Sequence, residues 1–325
     1  MPDPIIEARG LRKDFRVSGE NSLIARTFTA VRDVDLSLFS GETFGSVGES
    51  GCGKSTVAKL LMGLEKPTAG QILFRGQRID GLRESKRRPL RPRFQMVFQD
   101  SGSSLNPRKR VADILREPML YHRVLERDKV DARVEELLSM VGLPVEMKNR
   151  YPHEFSGGQR QRVCMARALS LNPDVIVLDE PVSALDVSVQ AQILNMLRQL
   201  QEQLGLTYLF IGHGLGAVHY LSHRIAVMYM GRIVETGASD ELFDHPAHPY
   251  TRALLDAAPV ADDTMRDRPR ASLKGEMDAA APAGACPLYP RCPLAEENCL
   301  RHDGALRPLP GRDGHLTACA QAWEG

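Results

Sequence analysis

Eight consecutive residues, Gly48-Glu49-Ser50-Gly51-Cys52-Gly53-Lys54-Ser55, limit what this chain can fold into more than any other feature. Their spacing is G-x-x-x-x-G-K-S. The glycines let the backbone curl until successive N–H groups point at one anion. Lys54 then extends a cation towards the outer phosphates of a nucleotide. Ser55, with Thr56 beside it, brings a hydroxyl suited to Mg²⁺. An apolar stretch precedes the loop, and the residues from Ser55 to Met62 read as helix. A strand that passes through a glycine turn into a helix adds the positive end of the helix dipole at the same spot. The expected fold class is therefore α/β, and the expected ligand is the phosphate chain of a nucleotide.

The rest of the chain agrees with that class. Residues 5–17 and 31–47 are patterned as strands, with a polar loop from Ser18 to Thr29 between them. Val34, Leu36 and Leu38 alternate with polar neighbours. Residues 70–79 read as strand again. Arg83 to Arg93 is basic and punctuated by proline, and lacks the interleaved aromatics that stack on bases. It reads as a solvated connector, with no nucleic-acid contact. Residues 108–170 are mostly helical in pattern, with Val134, Leu137, Leu138 and Val141 at helical spacing. The run Val175-Ile176-Val177-Leu178 suits a buried parallel strand. Asp179 and Glu180 close it, Asp179 placed to hold Mg²⁺ and Glu180 to accept a proton from an attacking water. A helix from Val187 to Leu204, a strand from Tyr208 to Ile211, another helix and a strand pair from Arg224 to Glu235 follow. Beyond Pro259, proline, glycine, alanine and charged residues dominate, which puts a boundary near residue 260.

Composition removes other classes. The 42 basic and 41 acidic side chains leave no excess for binding DNA through bulk charge. Six cysteines in 325 residues are too few for a disulfide-built secreted scaffold. The start of the chain lacks a signal pattern, and no apolar run approaches the roughly 18–20 residues of a membrane helix. A cytosolic chain is expected, or one docked on the inner membrane from its cytoplasmic side.

Phosphate loops occur in many families, and a second set of residues chooses among them. Phe155-Ser156-Gly157-Gly158-Gln159 resembles the signature motif of ATP-binding cassette (ABC) ATPases. Gln99 resembles the Q-loop glutamine of that family, Ser183-Ala184-Leu185-Asp186 its D-loop, His213 its switch histidine and Phe15 the aromatic that stacks on adenine. The order along residues 5–235 is the family's order. Ser104-Leu105-Asn106-Pro107-Arg108, Tyr151-Pro152-His153-Glu154-Phe155 and His248-Pro249-Tyr250-Thr251-Arg252-Ala253-Leu254-Leu255 resemble one branch, the ATPase subunits of oligopeptide/dipeptide importers.

The resemblance implies a RecA-like core with an antiparallel β subdomain and an inserted helical subdomain at about 100–170. This cassette would span 1–260, with a short extension over 261–325. It implies an ATPase whose two copies, or one copy and a paralogue, close head to tail around ATP. Ser156 and Gly158 of one subunit would then face the γ-phosphate held by Lys54 of the other, with Gly157, Gln159 and Asp186 alongside. Gln99 would sense Mg²⁺ and water, and His213 would orient the water with Glu180. Partners would be a second ATPase subunit, two membrane permeases and a solute-binding protein, with membrane contact only through the permeases. Two departures stand out: Gly212-His213-Gly214 replaces the usual Ser-His-Asp, with Gly216 close behind, and Asp100-Ser101-Gly102 replaces an Asp-Pro start, which predicts a softer loop. A soluble or regulatory ATPase with weak hydrolysis is the competing reading.

The cysteines fall into two groups. Cys52, in the phosphate loop, reads as a tolerated small residue or as a redox-sensitive thiol. Cys164 reads as a buried small apolar side chain. Cys286, Cys292, Cys299 and Cys319 are spaced C-x5-C-x6-C-x19-C. A reducing compartment disfavours disulfides among them. Zinc, with His302 or His315 in reserve, a [4Fe–4S] cluster, or no metal are the remaining readings. The resemblance to peptide-importer ATPases favours the cluster.

Overall fold

The computed structural model describes residues 3–17, 26–99, 101–257, 273–275, 281, 284–302 and 304–323. The boundary expected near 260 and the Asp100 position lie outside them. The chain begins with β1 (Ile6–Val17), β2 (Arg26–Leu38) and β3 (Thr43–Val47), and the glycine loop leads into α1 (Lys54–Leu61). Next come β4 (Ala69–Phe74), β5 (Gln77–Arg78), α2 (Glu84–Arg87) and β6 (Phe94–Val97). Helices α3 (Ser101–Ser104), α4 (Val111–His122), α5 (Val130–Met140) and α6 (Gly157–Leu169) precede β7 (Val175–Asp179). Then follow α7 (Val187–Leu204), β8 (Thr207–Ile211), α8 (Leu215–Leu221), β9 (Arg224–Tyr229) and β10 (Arg232–Ala238). The chain ends with α9 (Ser239–Asp244), α10 (Pro249–Ala257), β11 (Arg307–Pro308) and β12 (Leu316–Thr317).

Three sequence expectations need correction. β2 begins inside the stretch expected to be loop up to Thr29. Its early residues are solvent-facing, with Phe28 54% exposed, so no buried alternation marks them. The strand expected over 31–47 is two strands, parted at Gly41, which takes φ 79°. The strand over 70–79 is a hairpin. Arg75 and Gly76, at φ 48° and 76°, supply the two positive φ angles of a tight two-residue turn, and Leu73 faces Arg78 across it. In addition, the softer loop expected after Gln99 holds one helical turn, α3.

The chain forms two compact units. The first comprises Met1–Ile6, Leu38–Thr43 and Leu73–Ile211. Its sheet contains β6, β7 and β8 in that order, all parallel, with Phe94 opposite Val175 and Val175 opposite Thr207. Every residue of β7 is buried, as its uninterrupted apolar run requires. Helices α4, α5 and α6 pack on one another, and Leu115, Leu137, Leu138 and Val163 on them are fully buried. Burying each such side chain contributes roughly 1.5–3 kcal/mol. The Arg162 Nη1 donor, 2.7 Å from the Val141 carbonyl, ties α6 to the end of α5.

The second unit comprises Glu7–Ser37, Phe44–Ile72 and Gly212–Gly325. Strands β2, β1 and β4 lie side by side in that order. A second sheet is mixed. β3 runs parallel to β9, and β9 pairs antiparallel with β10. Met230 and Gly231, at φ 46° and 82°, make the turn between β9 and β10. Strands near the C-terminal end then continue this sheet, with β12 pairing antiparallel to β10 and β11 to β12. Glu235, wholly buried in β10, accepts hydrogen bonds from the Ala247 and His248 N–H groups at 2.7 and 3.0 Å. It also bonds His315 Nε2 at 2.7 Å.

Candidate functional site

In the second unit the phosphate loop is a tight cage. Gly48 holds φ 148°, and a Cβ there would come within 2.2 Å of the Met228 carbonyl oxygen. At Gly53, φ 112°, a Cβ would come within 2.5 Å of the Ala30 oxygen. Only glycine fits either place. The Lys54 ammonium is buried and donates to the carbonyls of Gly48 (2.7 Å) and Glu49 (3.0 Å), with Cys52 Sγ at 3.6 Å. The loop is thus wrapped about its own cation. Ser50 and Gly51 are exposed at its tip, and Ser55 and Thr56 are half-buried at the start of α1. Burial pushes the Cys52 thiol up, against the pull of Lys54. A neutral, buried thiol agrees with a small packing residue better than with a reactive one.

Also in this unit, Phe15 is half-buried on β1 with the Lys13 ammonium 4.8 Å from its ring centroid. His213 is exposed, just before α8. Gly214 caps α8 without a side-chain hydrogen bond, and a Cβ at Gly214 or Gly216 meets nothing within 4 Å.

The first unit assembles a different set. Asp179 ends β7, 8% exposed. Glu180 follows at φ 50°, a left-handed conformation that costs a non-glycine residue of order 1–3 kcal/mol. Its N–H donates to the Ile211 carbonyl at 2.9 Å, which holds the strained residue to the end of β8. Gln99 Nε2 donates to Glu180 Oε2 at 2.8 Å. Two residues 81 positions apart, singled out for the same water, are therefore in direct contact.

The signature residues open α6. The Ser156 hydroxyl accepts from the Gln159 N–H at 3.3 Å, and Gln159 Oε1 accepts from the Ser156 N–H at 3.0 Å. This reciprocal cap fixes the helix start and aims its free N–H groups outward. A Cβ on Gly157 would stand 3.2 Å from Leu185, and one on Gly158 2.4 Å from Val189. The signature and D-loop segments therefore pack against each other. Asp186 caps α7 by accepting from the Ser188 hydroxyl (2.7 Å) and the Val189 N–H (2.9 Å). Those bonds, the hydroxyl's first, hold its carboxyl below the usual range.

Cys164 is buried on α6 with Ser104 Oγ 3.2 Å from its sulfur. The other four thiols, Cys286, Cys292, Cys299 and Cys319, border one small cavity of about 20 Å³, together with His248 and His302. Burial pushes up the thiols of Cys286, Cys292 and Cys319. Yet among the described residues no three His, Cys, Asp or Glu side chains are grouped to hold a metal ion. The thiols share a cavity without converging on a point.

Two residues beside the phosphate loop escaped the sequence reading. Tyr250 Oη accepts the Glu49 N–H at 2.8 Å, and the Arg291 guanidinium grips the Glu49 carboxylate at 2.9 and 3.2 Å. Tyr250 lies in a motif already singled out, but nothing in that motif names its target.

The comparisons with known proteins give the family of the chain. The family described as "ABC transporter" matches residues 31–183, and that described as "Oligopeptide/dipeptide transporter, C-terminal region" matches residues 234–299. The oligopeptide transport ATP-binding protein AppF of Bacillus subtilis is 49% identical over 321 residues, 98% of this chain and 97% of that protein. The oligopeptide transport ATP-binding protein OppF of Escherichia coli is 46% identical over 298 residues, 90% of this chain and 88% of that one. Among solved structures, the dimeric ATP-binding cassette MJ0796 in a post-hydrolysis state with ADP and Pi matches with a TM-score of 0.64. It is 27% identical over 72% of this chain and 98% of its own. The phosphate loop, the Gln99–Glu180 pair and the capped signature helix go with similarity along nearly the whole chain: it belongs to the ABC transporter ATPases, in the branch that carries the oligopeptide/dipeptide transporter C-terminal region.

Proposed function

We propose that this ATPase powers import of oligopeptides or chemically related small solutes, from the cytoplasmic face of the inner membrane. The support is similarity to oligopeptide transport subunits through the extension as well as the cassette. No helix among the described residues is long and apolar enough to cross a membrane. The partners proposed are a second ATPase subunit, two permeases and a solute-binding protein. The division proposed is a cassette over 1–260 and an extension over 261–325. A weakly hydrolysing regulatory role has less to support it, because Lys54, Asp179, Glu180 and His213 are all present.

Catalysis in this proposal rests on one observation, Gln99 in contact with a strained Glu180. Glu180 takes a proton from water as the water oxygen bonds to the γ-phosphorus and the bond to the bridging oxygen breaks. Gln99 holds the carboxylate in line, and Lys54 and the loop N–H groups bind the phosphates. Phe15 packs on adenine. Ser156, Gly157, Gly158, Gln159 and Asp186 meet the nucleotide of the opposed subunit, and His213 orients the water. Ser55, Gln99 and Asp179 offer only oxygen donors, the set a magnesium ion prefers, and the ion would neutralise charge on the phosphates. Glu180→Gln keeps shape and removes the base. ATP hydrolysis by the assembled transporter should fall by about 100-fold or more while nucleotide binding persists. Undiminished hydrolysis would rule Glu180 out as the base.

The extension is proposed to hold a [4Fe–4S] cluster on Cys286, Cys292, Cys299 and Cys319. Zinc draws four donors to within about 2.3 Å of one point, whereas a cluster keeps its thiolates apart with its own atoms. What supports the cluster is the resemblance of this tail to those of peptide-importer ATPases and the place of all four thiols on one small cavity, which a cluster would have to widen. Anaerobically purified protein should then be brown and carry about four iron atoms per chain. A colourless, iron-free preparation would refute the cluster.

A further inference from the structure

The phosphate loop contains an acidic residue that a triphosphate should repel. Glu49 is the second residue of the loop, and its side chain is 31% exposed. Its carboxylate accepts two hydrogen bonds from Arg291, Nη1 to Oε2 at 2.9 Å and Nη2 to Oε1 at 3.2 Å. Arg291 is only 7% exposed. Its Nη1 also reaches Tyr229 Oη at 3.5 Å, and its guanidinium carbon lies 5.8 Å from the Tyr229 ring centroid. The paired geometry is the one a guanidinium makes best with a carboxylate.

Arg291 is held from its other side by the four-cysteine lobe. Its N–H donates to the Leu288 carbonyl at 2.9 Å, and its own carbonyl accepts from the Lys274 N–H at 3.0 Å. The next residue is Cys292, whose N–H donates to the same Leu288 carbonyl at 2.8 Å. The lobe is closed by the Cys286 N–H donating to the Cys299 carbonyl at 2.8 Å. A side chain rooted inside the cysteine lobe therefore ends on the phosphate loop, 242 residues away in sequence.

We propose that Arg291 is a positioning residue for ATP. It cancels the Glu49 charge and fixes the loop, so that seating of the cysteine lobe sets nucleotide affinity. Coupling of this kind is reciprocal: bound ATP must stabilise the seated lobe by the same factor.

The test uses the full chain in the assembled transporter. Equilibrium binding of a fluorescent ATP analogue, with KM and kcat for ATP, is measured for wild type, Arg291→Ala, Glu49→Gln and the double variant. Arg291→Ala should weaken binding about tenfold, equivalent to ~1.4 kcal/mol, and raise KM with kcat nearly unchanged. The double variant should recover most of that loss, because the unpaired carboxylate is gone. Arg291→Lys, a point charge without the fork, should recover part of it. Unchanged affinity in Arg291→Ala overturns the proposal. Lost affinity that Glu49→Gln fails to restore reduces Arg291 to a structural prop and overturns the charge argument. In hydrogen exchange, ATP should slow residues 284–302 in wild type but not in Arg291→Ala. Exchange there that ignores ATP in wild type refutes the reciprocal coupling.

Discussion

Glu180 and Gly158 are both placed by contacts that their motifs do not mention. The first holds a left-handed φ of 50° at the end of a buried strand, which turns its carboxylate to Gln99. The second lies so near Val189 that a methyl group has no room, 2.4 Å from Cγ1. Valine is stiff in a helix and cannot swing clear without moving α7. Gly158→Ala should thus cost about 1–3 kcal/mol of stability, read as a lower urea midpoint, besides its effect on hydrolysis. An unchanged midpoint would show that α7 yields freely. Gly214 presents the opposite case, since a Cβ there meets nothing and φ −78°, ψ 101° is ordinary cap backbone. Gly214→Asp should give α8 the side-chain cap it lacks, worth a few tenths of a kcal/mol. Better placement of His213 should then raise kcat about twofold, equivalent to ~0.4 kcal/mol. A kcat at or below wild type would mean that the glycine does not limit the switch.

At the scale of elements, the strands and helices that bury a periodic apolar face were legible in advance. Val175 to Leu178, Val187 to Leu204 and Tyr208 to Ile211 all fall where their patterns put them. The errors have physical causes. The first residues of β2 belong to a strand with its outer end in water, so no alternation betrays it. Gly41 and Gly76 turn the chain within apolar surroundings that read as continuous strand. The phosphate loop was legible because its chemistry is local. The partners of Glu49 were not, because Tyr250 and Arg291 reach it from 201 and 242 residues away. Glu235 was missed for the same reason. It accepts from two backbone N–H groups and bonds a buried histidine, joining β10, the lead into α10 and the extension. Glu235→Ala would strand all three partners in the interior, at a cost of roughly 3–5 kcal/mol. Limited proteolysis should then release the extension at temperatures where the wild type resists. Equal resistance would remove Glu235 as the anchor.

On the scale of the whole molecule, residues 284–302 and 304–323 are stitched to their unit by main-chain pairing, by Glu235 and by the grip of Arg291 on the loop. Near-neutral net charge fits this plan, since the anion is met by a backbone cage and one lysine and needs no basic surface. The β10–β12 ladder bears on how the protein is handled. In a chain cut after α10, the side of β10 at Glu235 and Thr236 would lose its partner strand and be left as an open edge, a template for another strand in solution. Such a trimmed cassette should self-associate through that side, so the shortest piece of this protein that stays dispersed has to keep Leu316 and Thr317.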